Sequence, residues 1–311
     1  MPENPRQYIF SRRTFLASCA AASLVGCSAE QGVAKGEKKD IMPRFGVITD
    51  LHYADREPAN TRYYRESQDK LQECVALMNE EKVDFLLELG DLKDESATPE
   101  EASTLEYLRI IDTTFKTFQG PHHYVMGNHD LDQISKAQFK SITGLKDTYY
   151  SFDMKGIHFV ILDACFNSEG KDYNHGNFKW WDANIPQSQI EWLAADLAKT
   201  KVPTIVFVHQ LLDGDGTHHV NNAEEVRKVL EDSEKVLAVF QGHYHDGSYQ
   251  VINGIHYYTI PAAVEGSGPE NSAYVIMKVQ NNGDINMTGY RRVEDQVLYR
   301  GGKEPEAAPV T

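Results

Sequence analysis

The sequence predicts an α/β fold in which mixed β-sheets are held between layers of helix. Short apolar runs rich in β-branched and aromatic residues alternate with longer segments of near-helical spacing, and the chain then turns strand-rich. Several of the apolar runs also stop at Asp, Asn or His, the pattern expected where a sheet carries a site beyond the carboxyl ends of its strands. At 311 residues the chain suits one large domain or two small ones, and without an internal repeat one domain is the simpler account.

The elements follow in order. Residues 45–48 predict a buried strand ending at Asp50, and 64–81 carry Leu71, Val75, Leu77 and Met78 at near-helical spacing. A strand at 83–87 ends in Gly90-Asp91. Pro99 then opens a helix to about residue 118, at a first-turn position where the missing N–H is harmless. A third strand at 123–126 ends in Gly127-Asn128-His129-Asp130, and strands at 148–153 and 157–162 follow. A helix over 187–199 leads to a strand at 204–208 ending at His209. Another over 222–230 leads to a strand at 236–240 ending at Gly242-His243. The last strand-like runs are 249–252, 255–260, 274–279 and 285–290.

Residues 1–27 stand apart from this pattern. Ser11-Arg12-Arg13-Thr14-Phe15-Leu16 resembles a twin-arginine export signal, and the mild apolar run at 17–26 is too short to span a bilayer. It ends in Leu24-Val25-Gly26-Cys27, which is similar to a bacterial lipobox. Two readings stay open: lipidation of Cys27, or a plain signal peptide cleaved near Ala29. Either implies export, to the periplasm or cell surface, and lipidation would add membrane contact through the lipid anchor alone. Residues 28–42 are polar and aperiodic and read as a tether, 43–300 as the domain, and 301–311 as a disordered tail. Cys74 and Cys165 read as separate buried thiols rather than a disulfide.

The formal net charge of -15 argues against nucleic acid as a partner, because such binding depends on Lys and Arg neutralising phosphates. It suits a small phosphorylated substrate only if the site has its own positive centre, which bound metal ions supply. The candidate ligands fall in ordered blocks: Asp50-Leu51-His52, Gly90-Asp91-Leu92-Lys93-Asp94, Gly127-Asn128-His129-Asp130, His209, and Gly242-His243-Tyr244-His245. A mixed imidazole and carboxylate set suits first-row transition metals, manganese, iron or zinc, rather than magnesium or calcium. Glycines before Asp91, Asn128 and His243 would let the backbone turn sharply.

Together and in this order the blocks resemble the calcineurin-like metallophosphoesterase signature. The resemblance implies a four-layer α/β/β/α sandwich holding two transition-metal ions. Carried over residue by residue, Asp91 would bridge the ions. Asp50, His52 and His245 would complete one, and Asn128, His209 and His243 the other. His129 and Asp130 are the candidate catalytic residues: His129 would face the leaving oxygen, while Asp130, like Asp94, would orient ligands. The implied reaction is in-line attack on phosphorus by a metal-bridging hydroxide, with no covalent intermediate.

Tyr53-Ala54-Asp55 and Thr61-Arg62-Tyr63-Tyr64-Arg65-Glu66-Ser67 locally resemble the manganese-dependent ADP-ribose/CDP-alcohol diphosphatase branch, making Tyr53 and Arg62 candidate substrate contacts. Tyr244 joins them by its place between two ligands. Arg62 and Arg65 read equally as forked donors to a second phosphate or as surface charges near Glu66 and Asp69. Trp180-Trp181 would wall the substrate or pack a loop, and His218-His219 would border the site or simply occupy a polar loop. His122, His123, His158 and His256 read as structural. The expected function is phosphodiester or diphosphate hydrolysis, reaching nucleoside-diphosphate-linked substrates. A broad phosphomonoesterase that scavenges phosphate and a noncatalytic lipid-anchored binding protein are the alternatives.

Overall fold

A computed structural model describes residues 42–304, and within them the predicted alternation produces two six-stranded mixed sheets. The first half of the described chain supplies β1 (Arg44–Ile48), α1 (Ser67–Glu80), β2 (Phe85–Glu88), α2 (Glu101–Phe115), β3 (His122–Tyr124), α3 (Lys136–Thr143), β4 (Tyr150–Met154) and β5 (Ile157–Ile161). The second supplies α4 (Gln187–Lys199), β6 (Thr204–Phe207), α5 (Ala223–Asp232), β7 (Val236–Gln241), β8 (Ser248–Ile252), β9 (Ile255–Thr259), β10 (Ala273–Val279), β11 (Ile285–Arg291) and β12 (Gln296–Leu298). One sheet has the order β12-β11-β10-β1-β2-β3, the other β4-β5-β6-β7-β9-β8. Parallel pairing runs through β1, β2 and β3 in the first and from β5 to β9 in the second, with antiparallel strands outside.

The period of two along each strand sorts side chains into layers. Phe45 and Val47 of β1 face the other sheet, meeting Phe159, Phe207 and Phe240, while Ile48 faces helices α1 and α2 with Leu71, Met78, Leu108 and Phe115. On the second sheet Val160, Val206 and Val239 turn outward against Leu193 and Leu197 of α4 and Val226 and Leu230 of α5. Helix, sheet, sheet and helix therefore stack in the predicted α/β/β/α order. The central strands are buried on both faces, which is why β7 is buried along its whole length and reads as one apolar run.

Several boundaries differ from the sequence reading. Helix α1 begins at Ser67 rather than at residue 64, because the preceding residues form tighter turns in which Glu66, Ser67 and Gln68 N–H bond three residues back, to Tyr63, Tyr64 and Arg65 C=O. Pro99 lies before the N-cap Glu100, so it precedes α2 instead of opening it. Helix α3 went unread although Ser135 and Gln138 form a capping box, a signal that was present in the sequence. Strand β12 is only three residues long and gives almost no periodicity. The domain also extends past 43–300 at both ends. Met42 packs on the inter-sheet core, and the turn at Arg300–Gly302 follows Tyr299, whose C=O accepts a bond from His256. Cys74 and Cys165 are buried and unbonded. The expectations for residues 1–41, the export signal, Cys27 lipidation and tether among them, lie outside the described residues, as does the tail from 305.

Between the sheets Phe45 stacks on Phe85 at 4.8 Å and meets Phe159 and Phe207 edge-on at 5.3 and 5.9 Å. Phe45→Ala would empty this contact between the two sheets. It should lower the unfolding free energy by about 3–5 kcal/mol, measured as a shifted urea midpoint with an unchanged slope.

Candidate metal centre

Parallel strands bring their carboxyl ends to one side, and the candidate ligands sit just past those ends. Asp50 and His52 follow β1, Asp91 follows β2, Asn128 follows β3, His209 follows β6, and His243 and His245 follow β7. Asp50, His52, Asp91 and His243 adopt left-handed backbone conformations, with φ of 54°, 46°, 58° and 67°. Such conformations are unfavourable for non-glycine residues and persist where the surroundings impose them. Here strand-end loops interlock: Asp50 N–H donates to Gly90 C=O at 2.9 Å, His52 N–H to Asp91 C=O at 2.8 Å, and His243 N–H to Asp50 Oδ2 at 3.1 Å. The expected role of the glycines therefore changes. Gly90 does take a positive φ of 104°, but Gly127 is needed for space, since a Cβ there would lie 2.2 Å from Asp91 Oδ1.

The donor atoms gather in two sets that share Asp91. His52 Nε2 lies 3.2 Å from His245 Nε2 and 3.6 Å from Asp50 Oδ1, and His245 Nε2 lies 3.5 Å from the same oxygen. Asp91 Oδ2 stands 3.5 Å from His52 Nε2 on one side and 3.1 Å from His209 Nε2 on the other. Asp91, His209 and His243 form the second set. Asn128 is buried, directly precedes His129, whose N–H donates to Asp91 Oδ1 at 2.7 Å, and carries its own unpartnered oxygen.

The other nitrogen of three rings is already committed. His52 Nδ1 pairs with Asp94 at 3.1 Å, His245 Nδ1 with Glu265 at 2.5 Å, and His209 Nδ1 with Leu89 C=O at 2.9 Å. These acceptors hold a proton on Nδ1 and turn Nε2 toward the carboxylates, so that Nε2 becomes a ligand atom once it gives up any proton of its own. Asp50 Oδ1, Asn128 Oδ1, His209 Nε2 and His243 Nε2 are buried without a hydrogen-bond partner among the described residues. Such convergence is unfavourable for protons to satisfy and is what a cation pair would satisfy, so the residues fit a dinuclear metal site. The grouping of His52, Asp94 and His129 is different in kind, because Asp94 faces the Nδ1 atom of both rings and acts as their shared acceptor.

Charge in the metal-free protein is balanced by protons. Burial opposes ionisation of Asp50, yet His209, His245 and His52 hold its carboxyl well below the usual range. Burial likewise opposes a charged His209, but Asp91 and Asp50 bring it up to about 9. For His129 burial is again outweighed, by Asp94 and Asp91, and the imidazole rises to about 10. Burial, reinforced by Asp130, pushes Glu88 behind the site well above its normal value, so it adds no negative charge.

A further ring of residues fixes these groups. Asp130 accepts N–H bonds from Asp91 at 3.0 Å, Leu92 at 3.0 Å and Gly127 at 2.8 Å. It is fully buried and spent on backbone, so its place among catalytic residues is corrected: it positions the loops that carry Asp91 and Asn128. Lys93, also fully buried, donates to His129 C=O at 2.5 Å and to Asp132. Glu265 and Lys93 were missed by the sequence reading, Lys93 although it stood in a recognised block. Glu265 had no sequence signal, since only folding brings its loop to His245.

Substrate contacts divide. Tyr53 is 8% exposed and packs in the helix-facing core with its ring edge-on to Tyr107, so it is withdrawn as a substrate contact. Arg65 is exposed and paired with Asp55 and Glu57, away from the site, the surface-charge reading with other partners than Glu66 and Asp69. Arg62 lies 3.9 Å from Glu265, and Arg56, unremarked in the sequence, lies 3.9 Å from Asp94, so two guanidiniums flank the carboxylates that orient the site histidines. Trp180, 39% exposed, stands 5.9 Å from the His243 ring and 5.2 Å from that of His218. His218 in turn meets Tyr244 at 5.1 Å, so both the tryptophan loop and the His218 loop border the site.

Comparisons with known proteins agree with this geometry. Residues 43–247 match the model of the calcineurin-like phosphoesterase family. The chain is similar to a manganese-dependent ADP-ribose/CDP-alcohol diphosphatase from Oryza sativa, 26% identical, covering 78% of this chain and 90% of that protein. A human protein of the same name is 25% identical, with coverage of 82% and 92%. In three dimensions the chain resembles a dimetal phosphatase from Danio rerio with a TM-score of 0.73 at 23% identity, covering 84% of this chain and all of that one.

If the buried donors are completed by cations, loading the metal-free protein with manganese should raise its melting temperature. At ion concentrations a hundred times Kd the gain is about 2.7 kcal/mol per site. Because His209 is held up to about 9 without metal, loading at pH 7 should also release protons, read by calorimetry in buffers of different ionisation enthalpy. No stabilisation and no proton release would count against the fit.

Proposed function

This chain belongs to the calcineurin-like phosphoesterase family, and we propose that it hydrolyses nucleoside-diphosphate-linked substrates of the ADP-ribose or CDP-alcohol kind with manganese bound. The observation that carries the dimetal reading is the convergence of unpartnered donor atoms on both sides of Asp91. The diphosphate reading draws support from the diphosphatases named above, which align along most of their length, and from Arg56 and Arg62 at the rim. Asp50, His52 and His245 would hold one ion, Asn128, His209 and His243 the other, and Asp91 both. Bound there, the ions would supply Lewis-acid activation of a water nucleophile and neutralise charge on the phosphoryl oxygens.

The chain's own residues do the rest. His129 is the most accessible histidine of the inner group, its side chain 29% accessible where His52 and His209 are fully buried. Its Nδ1 faces Asp94 at 3.4 Å, which leaves Nε2 to give a proton to the departing oxygen. Lys93 and Asp130 hold the backbone on which that proton donor and Asp91 sit, so the geometry is set before substrate arrives. Arg62 and Tyr244 stand at the rim, where a second phosphate and its substituent would emerge.

The deciding experiment is a substrate panel with manganese-loaded protein: ADP-ribose, CDP-choline, a bis-aryl phosphate and an aryl monophosphate. ADP-ribose or CDP-choline should have the highest kcat/KM, and preference for the monoester would replace this reading with phosphate scavenging. In the same assay His129→Ala should keep its manganese and lose about 10²–10⁴-fold in kcat, most on substrates with poor leaving groups.

We also propose that the protein is exported and lipid-anchored, on the strength of Arg12-Arg13 and Leu24-Val25-Gly26-Cys27. Replacing both arginines with lysine should retain it in the cytoplasm, and Cys27→Ser should move it from the membrane fraction to the soluble one. An unchanged distribution in both variants would defeat the proposal.

A further inference from the structure

Beside the metal centre a cavity of about 350 Å³ opens between the His218 loop and β8. Its walls include Tyr244 and His218, so it is continuous with the site: Tyr244 lies between two candidate ligands, and the His218 ring is 5.5 Å from that of His243. Leu211 and Tyr249 add apolar and aromatic surface. The loop is held in shape by main-chain bonds, Leu211 N–H to His218 C=O at 3.1 Å and Val220 N–H to Leu211 C=O at 2.9 Å. A planar, ring-sized group meets stacking surfaces here, next to where the phosphates would be held.

One polar group in the cavity wall is incompletely satisfied. Asp213 is 5% exposed, and its Oδ2 accepts from Gln250 Nε2 at 2.8 Å. Its Oδ1 is buried and makes no hydrogen bond, with only the longer ion-pair contact of His219 Nε2 opposite it at 3.4 Å. A buried carboxylate oxygen with a free lone pair is unfavourable until a donor reaches it. The donors that planar bases carry at their ring edge are exocyclic amino groups, N6 of adenine and N4 of cytosine.

We propose that this cavity binds the nucleobase of the substrate and that Asp213 selects bases bearing an exocyclic amino group, with Tyr244, Tyr249 and His218 providing the stacking surface. This rests on the reading of the chain as a nucleoside-diphosphate hydrolase and adds what that reading lacks, a residue that tells one base from another. Uracil and hypoxanthine present a carbonyl in place of the amino group, and a carbonyl oxygen against the Asp213 carboxylate is repelled rather than bound.

The test needs no variant. With the manganese-loaded protein, kcat/KM should fall about 10- to 100-fold from CDP-choline to UDP-choline and from ADP-ribose to its hypoxanthine analogue. Calorimetry should show CMP binding more tightly than UMP by a similar factor. Asp213→Asn, whose amide can donate to a carbonyl, should bring each pair to within about threefold, with its manganese stoichiometry reporting that it folds. Equal kcat/KM within each pair, together with equal CMP and UMP binding, overturns the proposal while leaving diphosphate hydrolysis standing. Turnover of aryl phosphates but of no nucleoside diphosphate ester overturns the parent reading instead, and CMP against UMP binding then decides the cavity separately.

Discussion

A cluster of buried nitrogen and oxygen atoms that the protein's own hydrogen bonds leave incompletely satisfied governs the rest of this structure. His52, His245 and His209 each commit Nδ1 to an acceptor and turn Nε2 toward the carboxylates of Asp50 and Asp91. In an apolar interior that arrangement is unfavourable without cations, and the protein gives up a good deal of local comfort to maintain it. Four ligand residues occupy left-handed backbone conformations, and Gly127 must lack a side chain so that Asp91 can fit. The strain is held by the strand-end loops, which are tied to one another rather than to solvent.

The stiffness of that frame comes from buried charges used as struts. Asp130 collects backbone N–H groups from the loops after β2 and β3, and Lys93 fastens His129 C=O. On the far side Lys70 of α1 is fully buried and donates to the carbonyls of Ala263, Glu265 and Gly266, at 2.8, 3.1 and 2.7 Å. That loop presents Glu265 to His245, so a lysine on α1 acts on one candidate ligand through the loop that carries its acceptor. Burial lowers the Lys70 ammonium to about 8. The carbonyl cage is what a charge in that position requires.

Electrostatics also explain how a chain of net charge -15 can act on phosphates. The acidic groups at the centre are ligands or struts, and bound cations reverse the local sign. Away from the centre, the bordering surface offers aromatic rings and hydrogen bonds rather than charge. Trp180, His218 and Tyr244 border the ligand His243, and such contacts are insensitive to the overall charge.

That the candidate ligands lie just past strand ends was readable from the sequence, because strands reveal themselves by apolar runs. The layer order was readable for the same reason, carried by the alternation of strands and helices. The failures were of another sort. Tyr53 shares a block with Asp50 and His52 yet turns into the core, because successive residues past a strand end face different directions. Asp130 stands beside His129 but is consumed by backbone, which no spacing discloses. Glu265, Lys70 and Asp213 carry no motif, and their roles exist only where distant loops meet. Local chemistry is written along the chain, since a residue type and its neighbours determine what it can bind. Partnership between residues far apart in sequence is decided by packing, since only the closed layers bring those groups within hydrogen-bonding reach and remove the water that would otherwise satisfy them.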